Sequence, residues 1–317
     1  WEYNLDKLRL RHGTNSQIGF TSDPGNFNSF DFDDLNHPSA SYGGVMLLLN
    51  NNYIVFYGGK STFDSFLNDI FIYDSILNQF KVLYQSDPHV NHNGSYILKG
   101  GFSSLNIPRP RSFAAYWKLG LDSFYIFSGE VNIPVSINRY IRDTMLYNTT
   151  RKEWKWITGD NQTAGYGEVK CFYGDKTYSV DVIPQYGSKF LTWQIPGDDE
   201  FFYFYGGTGW DIGHVFAIGS DALFEFSHTL GQWRWVDGLY TGGSGVNSSD
   251  AHFMYTINHP GAAYGSVTYV GSPNELYFHS GGAAKHCWIG ARAYRMRGYN
   301  VWKYNNLVDC NGKDRYS

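Results

Sequence analysis

One stretch near the C-terminus is strongly basic and carries aromatic rings between its charges. Lys285, His286, Arg292, Arg295 and Arg297 alternate there with Trp288 and Tyr294. Arginines clasp carboxylates or sulfates with two parallel hydrogen bonds, and rings stack on sugars or cations, so this stretch would suit an acidic glycan or an acidic partner. The plainer reading is a solvated loop whose arginines pair with nearby carboxylates. Trp210-Asp211-Ile212-Gly213-His214 would line a sugar pocket by stacking and hydrogen bonding, or bury its Trp for packing. Asp31, Asp33 and Asp34 cluster oxygens as a calcium clip does, but lack the glycine and terminal glutamate of an EF-hand loop, which favours turn-forming aspartates. The sequence has no Gly-x-Ser-x-Gly elbow, P-loop or paired-histidine zinc motif. The residues predict no cofactor and no catalytic set.

These candidates sit between recurring elements. Four aromatic or branched runs end in a glycine pair or near-pair: Tyr53-Ile54-Val55-Phe56-Tyr57-Gly58-Gly59, Phe124-Tyr125-Ile126-Phe127-Ser128-Gly129-Glu130, Phe202-Tyr203-Phe204-Tyr205-Gly206-Gly207 and Leu276-Tyr277-Phe278-His279-Ser280-Gly281-Gly282. Their first glycines, taken as Gly58, Gly129, Gly206 and Gly281, are nearly evenly spaced, so one unit is used repeatedly. Before each run comes a proline, read as Pro38, Pro110, Pro184 and Pro260, then an apolar stretch. After each comes a third segment, such as Met145-Leu146-Tyr147-Asn148, and after the first three a fourth, such as Trp154-Lys155-Trp156 or Trp233-Arg234-Trp235. Apolar, basic, apolar is a period of two, the pattern of a strand with one exposed side, and the middle Lys or Arg would guard an outer edge. No helical period persists, so the chain is expected to be all-β, with four short antiparallel strands per unit.

The glycine runs, together with a Tyr or Phe seven positions before an aromatic (Tyr147 with Trp154, Phe226 with Trp233), make the chain resemble the kelch-repeat family. That resemblance covers about residues 38–305. It implies a β-propeller of four-stranded blades like the galactose-oxidase central domain, and it leaves function open, because such propellers serve unrelated roles. A single domain over 1–317 is expected, with a half-blade at 1–13, blades at about 38–85, 108–160, 184–238 and 260–305, and an irregular tail at 306–317. Four blades and a half do not tile a ring. Either further chain lies outside these residues, as a start at Trp1 favours, or strands are shared with a neighbouring copy, giving a homo-oligomer or head-to-tail filament. A copper-radical oxidase of the galactose-oxidase kind would need a Tyr-Cys crosslink, a second Tyr and two His. Tyr173 near Cys171, with His214 and His286, supplies the residue types without a diagnostic spacing. The repeated Asp-box turns of a sialidase are missing from the sequence.

A formal net charge of −4 with no Lys- or Arg-rich stripe argues against a nucleic-acid surface. No long apolar stretch would span a membrane. Three cysteines, Cys171, Cys287 and Cys310, allow one disulfide between two of them if the protein is secreted. Asn93, Asn148, Asn161 and Asn247 head N-glycosylation triplets in expected turns or loops, and roughly three such triplets arise by chance in a chain like this. With few lysines and many tyrosines, they favour an extracellular or cell-surface glycoprotein. The turns between third and fourth strands are short. The connections at 13–37, 85–108, 159–183 and 238–259, and those at 60–68, 131–142, 208–220 and 283–299, are long and open on one end, which is where a protein or glycan partner is expected.

Overall fold

The structure, a computed structural model, describes residues 27–61, 65–85, 93–132, 140–161, 176–182, 184, 186–210, 217–219 and 222–237, together with six C-terminal strands. Those strands are Ala263–Tyr264, Val267–Ser272, Glu275–His279, Gly282–Lys285, Tyr294–Arg297 and Val301–Tyr304. The described residues contain no helix, and every named strand pairing is antiparallel.

Three sheets repeat one order of strands. The first joins Val45–Leu48, Tyr53–Ser61, Phe66–Asp74 and Gln79–Tyr84. The second joins Ala115–Leu119, Ser123–Phe127, Thr144–Asn148 and Glu153–Thr158. The third joins Leu191–Gln194, Phe201–Tyr205, Leu223–Ser227 and Gln232–Asp237. A fourth sheet joins Val267–Ser272, Glu275–His279 and Val301–Tyr304. The first strands of successive sheets lie side by side, so the sheets stack in sequence order. No closed ring of sheets forms among the described residues.

Aromatic side chains fill the gaps between sheets. Tyr57 of the first sheet meets Phe124 and Trp154 of the second, with ring centroids 6.2 and 5.3 Å apart. Phe127 of the second stacks on Phe204 of the third at 5.1 Å and meets Trp233 at 4.9 Å. Sheets covered on both faces need continuous apolar strands rather than alternating ones. Ser123–Phe127 and Leu223–Ser227 are accordingly buried at every position.

The seven-residue spacing has a local cause. Each turn from third to fourth strand places its fourth residue in the left-handed region: Asn78 at φ 59°, Lys152 at φ 58° and Gly231 at φ 63°. The side chain before the turn caps it. Asp74 Oδ1 accepts the Ile76 and Leu77 N–H groups, Asn148 Oδ1 the Arg151 N–H, and Ser227 Oγ the Leu230 N–H. The turn then sets Tyr73 opposite Phe80, Tyr147 opposite Trp154 and Phe226 opposite Trp233, with ring centroids 4.9, 4.8 and 4.9 Å apart.

The long connections into each sheet are partly ordered. Before crossing to the first strand, the chain runs along the outer edge of its own sheet. Asp33 bridges Phe80, Ser103 pairs with Trp154, and Ser179 bridges Trp233. Two buried asparagines pin this clip. Asn36 Oδ1 accepts the N–H groups of Asn28 and Ser29, and its amide reaches the carbonyls of Ser29, Asp31 and Phe80. Asn106 repeats the arrangement with Ile97, Leu98, Gly101 and Trp154. The fourth strand is therefore not a bare edge, and its basic residue is not an edge guard. Lys155 lies opposite Phe102 in the clip strand Phe102–Ser103. Arg234 is buried, with its guanidinium 2.7 and 3.1 Å from the Glu225 carboxylate and Tyr178 also bonded to Glu225.

Candidate binding site at the glycine-pair end

Past each glycine pair the chain turns into a short collar. Ser41–Tyr42 pairs with the end of Tyr53–Ser61, Arg111–Ser112 with Glu130–Val131, and Tyr186–Ser188 with Thr208–Trp210. Ala263–Tyr264 pairs likewise with Gly282–Lys285. Conformation fixes the equivalences. Gly58 and Gly59 have φ of 62° and 105°, Ser128 and Gly129 have 56° and 117°, and Gly206 and Gly207 have 69° and 89°. Ser128, not Gly129, thus stands at the first glycine position, one residue from where sequence reading placed the repeat. Ser128 Oγ lies 2.6 Å from the Ile141 carbonyl and 2.7 Å from the Gly187 carbonyl, and accepts the Gly187 N–H at 3.1 Å. These bonds to the third sheet hold a serine in a conformation that glycine adopts more easily.

A second set of left-handed residues follows each collar strand: Gly43 at φ 68°, Phe113 at 55° and Lys189 at 58°. The Phe113 N–H donates to the Gly43 carbonyl at 2.6 Å, and the Lys189 N–H to the Phe113 carbonyl at 3.1 Å. One hydrogen bond thus recurs from sheet to sheet. Side chains overlap in the same sense. A Cβ on Gly43 would lie 2.8 Å from the Phe113 ring, and the Lys189 ammonium sits 4.7 Å from that ring's centroid. A phenylalanine at positive φ is a true outlier, and strain of this kind gathers at functional sites.

Around these three residues the collar presents mixed chemistry. Tyr42 is half exposed, its ring 5.9 Å from that of Phe113, and Lys60 is its cross-strand partner. Glu130 reaches into the next sheet, with Oε1 3.1 Å from Ser188 Oγ and 3.6 Å from Lys189 Nζ. Ser188 Oγ lies 3.1 Å from Thr208 Oγ1. Two rings, the Lys189 ammonium, the Glu130 carboxylate and two hydroxyls are groups that can grip a polar ring.

The floor is rigid and charged. Arg111 and Asp143, both fully buried, form two short hydrogen bonds of 2.5 and 2.7 Å, and Arg111 also donates to the Ser128 carbonyl. Tyr96 donates to Asp143 at 2.6 Å. Burial alone would lower the Arg111 pKa, but the facing Asp143 carboxylate outweighs it and raises the guanidinium further. Burial first, then Asp143, raises the Tyr96 phenol well above its ordinary value. The pair sits behind the collar and positions its strands.

Sequence reading missed Tyr42, Phe113, Glu130 and Lys189. The available signal was the triplet before each unit: Asn36-His37-Pro38, Asn106-Ile107-Pro108 and Val182-Ile183-Pro184, with Asn258-His259-Pro260 beyond. It makes Pro108, not Pro110, the equivalent proline, and the left-handed residue comes five positions later in each described unit.

Of the expected binding residues, those the structure describes lie in collar sheets. Trp210 pairs with Tyr186 in the third collar. Lys285 pairs with Tyr294, Arg295 with Ala284 and Arg297 with Gly282, so the ends of the basic stretch form a hairpin rather than an irregular loop. Asp211, His214, His286, Trp288, Arg292, Tyr173, Asn247, Cys171, Cys287 and Cys310 lie outside the described residues. Asp33 Oδ1 accepts the Leu35 N–H, Asp34 accepts a bond from Gln79, and Asp31 lies 3.9 Å from Lys81, so these aspartates shape the clip. The Asn148 amide donates to Asp122 and Ser123 while its oxygen caps the turn, whereas Asn93 is exposed. Among the described residues no helix is long and apolar enough to cross a membrane. No family model matches the chain, and neither does any curated protein.

Proposed function

We propose that the chain is a kelch-type β-propeller that works without catalysis, outside the cell or at its surface, and meets a protein or glycan at its glycine-pair end. One observation carries this reading. The hydrogen bond from Phe113 to Gly43 recurs from Lys189 to Phe113, between sheets whose first strands are neighbours. The same contact repeated in the same sense is what rotation about a common axis generates. The collar gathers charged, hydroxyl and aromatic side chains from three units, with Tyr42 half exposed, whereas the short turns expose apolar tips such as Ile76 and Leu121 and charged ones such as Arg151 and Lys152.

The test is an array of glycans and extracellular proteins probed with the purified chain and two sets of variants. Changes in the collar (Tyr42→Ala, Lys189→Gln) should abolish captured signals, and changes on the short turns (Ile76→Ser, Leu121→Ser) should leave them. The reverse pattern would overturn the choice of face.

The first sheet adds a second point. Tyr116 of the second sheet packs against the first, but its counterpart on the first sheet, Met46, is 62% exposed, and Leu48 is 56% exposed. That back face fits a further unit, supplied by this chain or by a neighbouring copy sharing strands in a head-to-tail filament. Sedimentation as a monomer at all concentrations, unchanged by Met46→Lys, would remove the filament.

A further inference from the structure

Within the proposed binding role, the geometry points to a ligand class: the collar between the first three sheets takes a pyranose ring bearing a carboxylate, as in the terminal residue of an acidic glycan. Four observations converge on it.

Tyr42 and Phe113 form an open apolar wall, with rings tilted 59° to each other and Tyr42 50% exposed. A sugar's C–H face packs on such rings, because they present apolar area that is already held in place. Phe113 projects from a backbone that disfavours it, and Gly43 is kept bare beneath the ring. The wall is therefore built at a cost in backbone strain rather than left over from packing.

Lys189 supplies the contact for an anion. It flanks the wall, its ammonium 4.7 Å from the centroid of the Phe113 ring, and faces the Glu130 carboxylate. Lys189 Nζ stands 3.6 Å from Glu130 Oε1, too long for a tight charge-assisted bond, and the lysine side chain is 35% exposed. A ligand carboxylate can approach that ammonium from solvent. Glu130 then keeps Ser188 and accepts a bond from a sugar hydroxyl, and Thr208 offers the ring a further hydroxyl.

The repeat shows that these groups are local additions. Tyr42 with Lys60, Ser112 with Glu130, and Ser188 with Thr208 are equivalent cross-strand pairs in three sheets, as are Gly43, Phe113 and Lys189 in the turn. The backbone repeats at each position, while the chemistry changes from unit to unit except for the serine shared by positions 112 and 188. A surface that only closed the sheet ends would have no need of a different charge and ring in each unit.

The experiment is calorimetry or ligand-detected NMR on the whole chain with three probes: methyl β-D-glucuronide, the methyl glycoside of N-acetylneuraminic acid, and methyl β-D-glucoside. At least one acidic probe should bind about tenfold more tightly than the glucoside, the worth of one charge-assisted contact. The stronger acidic probe tells a uronic acid from a sialic acid. Lys189→Gln should erase the preference, Glu130→Gln should raise affinity for the acidic probe several-fold, and Tyr42→Ala should weaken all three. Thermal melting of each variant checks folding, and the opposite signs expected at Lys189 and Glu130 keep the outcome decisive if one variant misfolds. Equal affinity for all probes, or a preference that survives Lys189→Gln, overturns the inference. Should no glycoside bind while collar-dependent capture on the array persists, the ligand class is wrong and the wider reading stands. Loss of both removes both.

Discussion

The cores between sheets and the collar at their ends share one backbone repeat and treat it in opposite ways. In the core, equivalent positions keep their character: Tyr57, Phe127 and Tyr205 before the glycine-pair position, and Phe80, Trp154 and Trp233 on the fourth strands, are all nearly fully buried. In the collar, equivalent positions hold glycine, phenylalanine and lysine, all in the same left-handed conformation. Close packing punishes a change of even one methylene, so a core copied from unit to unit must keep its shapes. Side chains at a partly solvated end are under less such constraint. The difference teaches that the repeat is a means of holding unlike side chains at like places.

The largest way to break the comparison is to dissolve the framework with alkali. Burial raises the phenols of Tyr57, Tyr125 and Tyr147, and burial together with Asp143 raises that of Tyr96. A folded pKa above the unfolded value means that the stabilisation is complete below about pH 10 and disappears as pH rises through the folded values. Each such tyrosine removes about 1.4 kcal/mol per pH unit in that window, so the four together remove roughly 5 kcal/mol by pH 11. Tyrosinate absorbance should rise in two phases, exposed phenols near pH 10 and these four only as the far-ultraviolet strand signal collapses. A single smooth titration with the fold intact would show that the gaps between sheets are wet.

Next comes the buried pair behind the collar. Asp143→Ala leaves the Arg111 guanidinium buried beside no carboxylate and should cost about 3–5 kcal/mol. The double variant Arg111→Met with Asp143→Leu should recover most of that in denaturant melts. If the recovered protein also regains ligand binding, the pair is framework alone. Failure to regain binding would mean that the charge itself shapes the collar.

How much of this the sequence disclosed follows the same division. The strands, their order and the seven-residue pairing of Tyr147 with Trp154 were readable, because aromatic and β-branched runs and short capped turns act locally. The both-sided burial of Ser123–Phe127 was not, since it depends on a sheet more than seventy residues away. Nor was the clip. Asn36 and Asn106 look like ordinary loop residues until their bonds to Phe80 and Trp154, 44 and 48 positions on, are seen. The collar stayed hidden for a different reason. Motif reading seeks chemistry that clusters along the chain, whereas Tyr42, Phe113 and Lys189 meet only because three units stack.

A smaller effect tests whether the clip belongs with the core. Asn106→Ala strands the Ile97 and Leu98 N–H groups and the carbonyls its amide reaches, and should cost about 1–3 kcal/mol. In the third unit Val182 holds the equivalent place and is 4% exposed, so that clip is closed by apolar contact instead. Val182→Ala should therefore cost less than Asn106→Ala in matched thermal melts. An equal loss would mean that the asparagine's bonds add nothing beyond filling space.

The smallest effect has the opposite sign. Phe113 and Lys189 occupy a region of φ that costs a side chain about 1 kcal/mol or more relative to glycine. Phe113→Gly removes that strain but also removes the ring's contacts with Tyr42 and Lys189, so stability should hold steady or rise by up to about 1 kcal/mol. Lys189→Gly gives up less packing and should show the rise more clearly. Both should lose binding of the acidic glycoside. Collar side chains kept at the expense of stability are what a ligand-selected surface requires, and core positions such as Trp233 should never behave this way. If Phe113→Gly lowers the melting temperature as a core truncation does, the ring serves packing, and the contrast between core and collar fails at the residue that defines it.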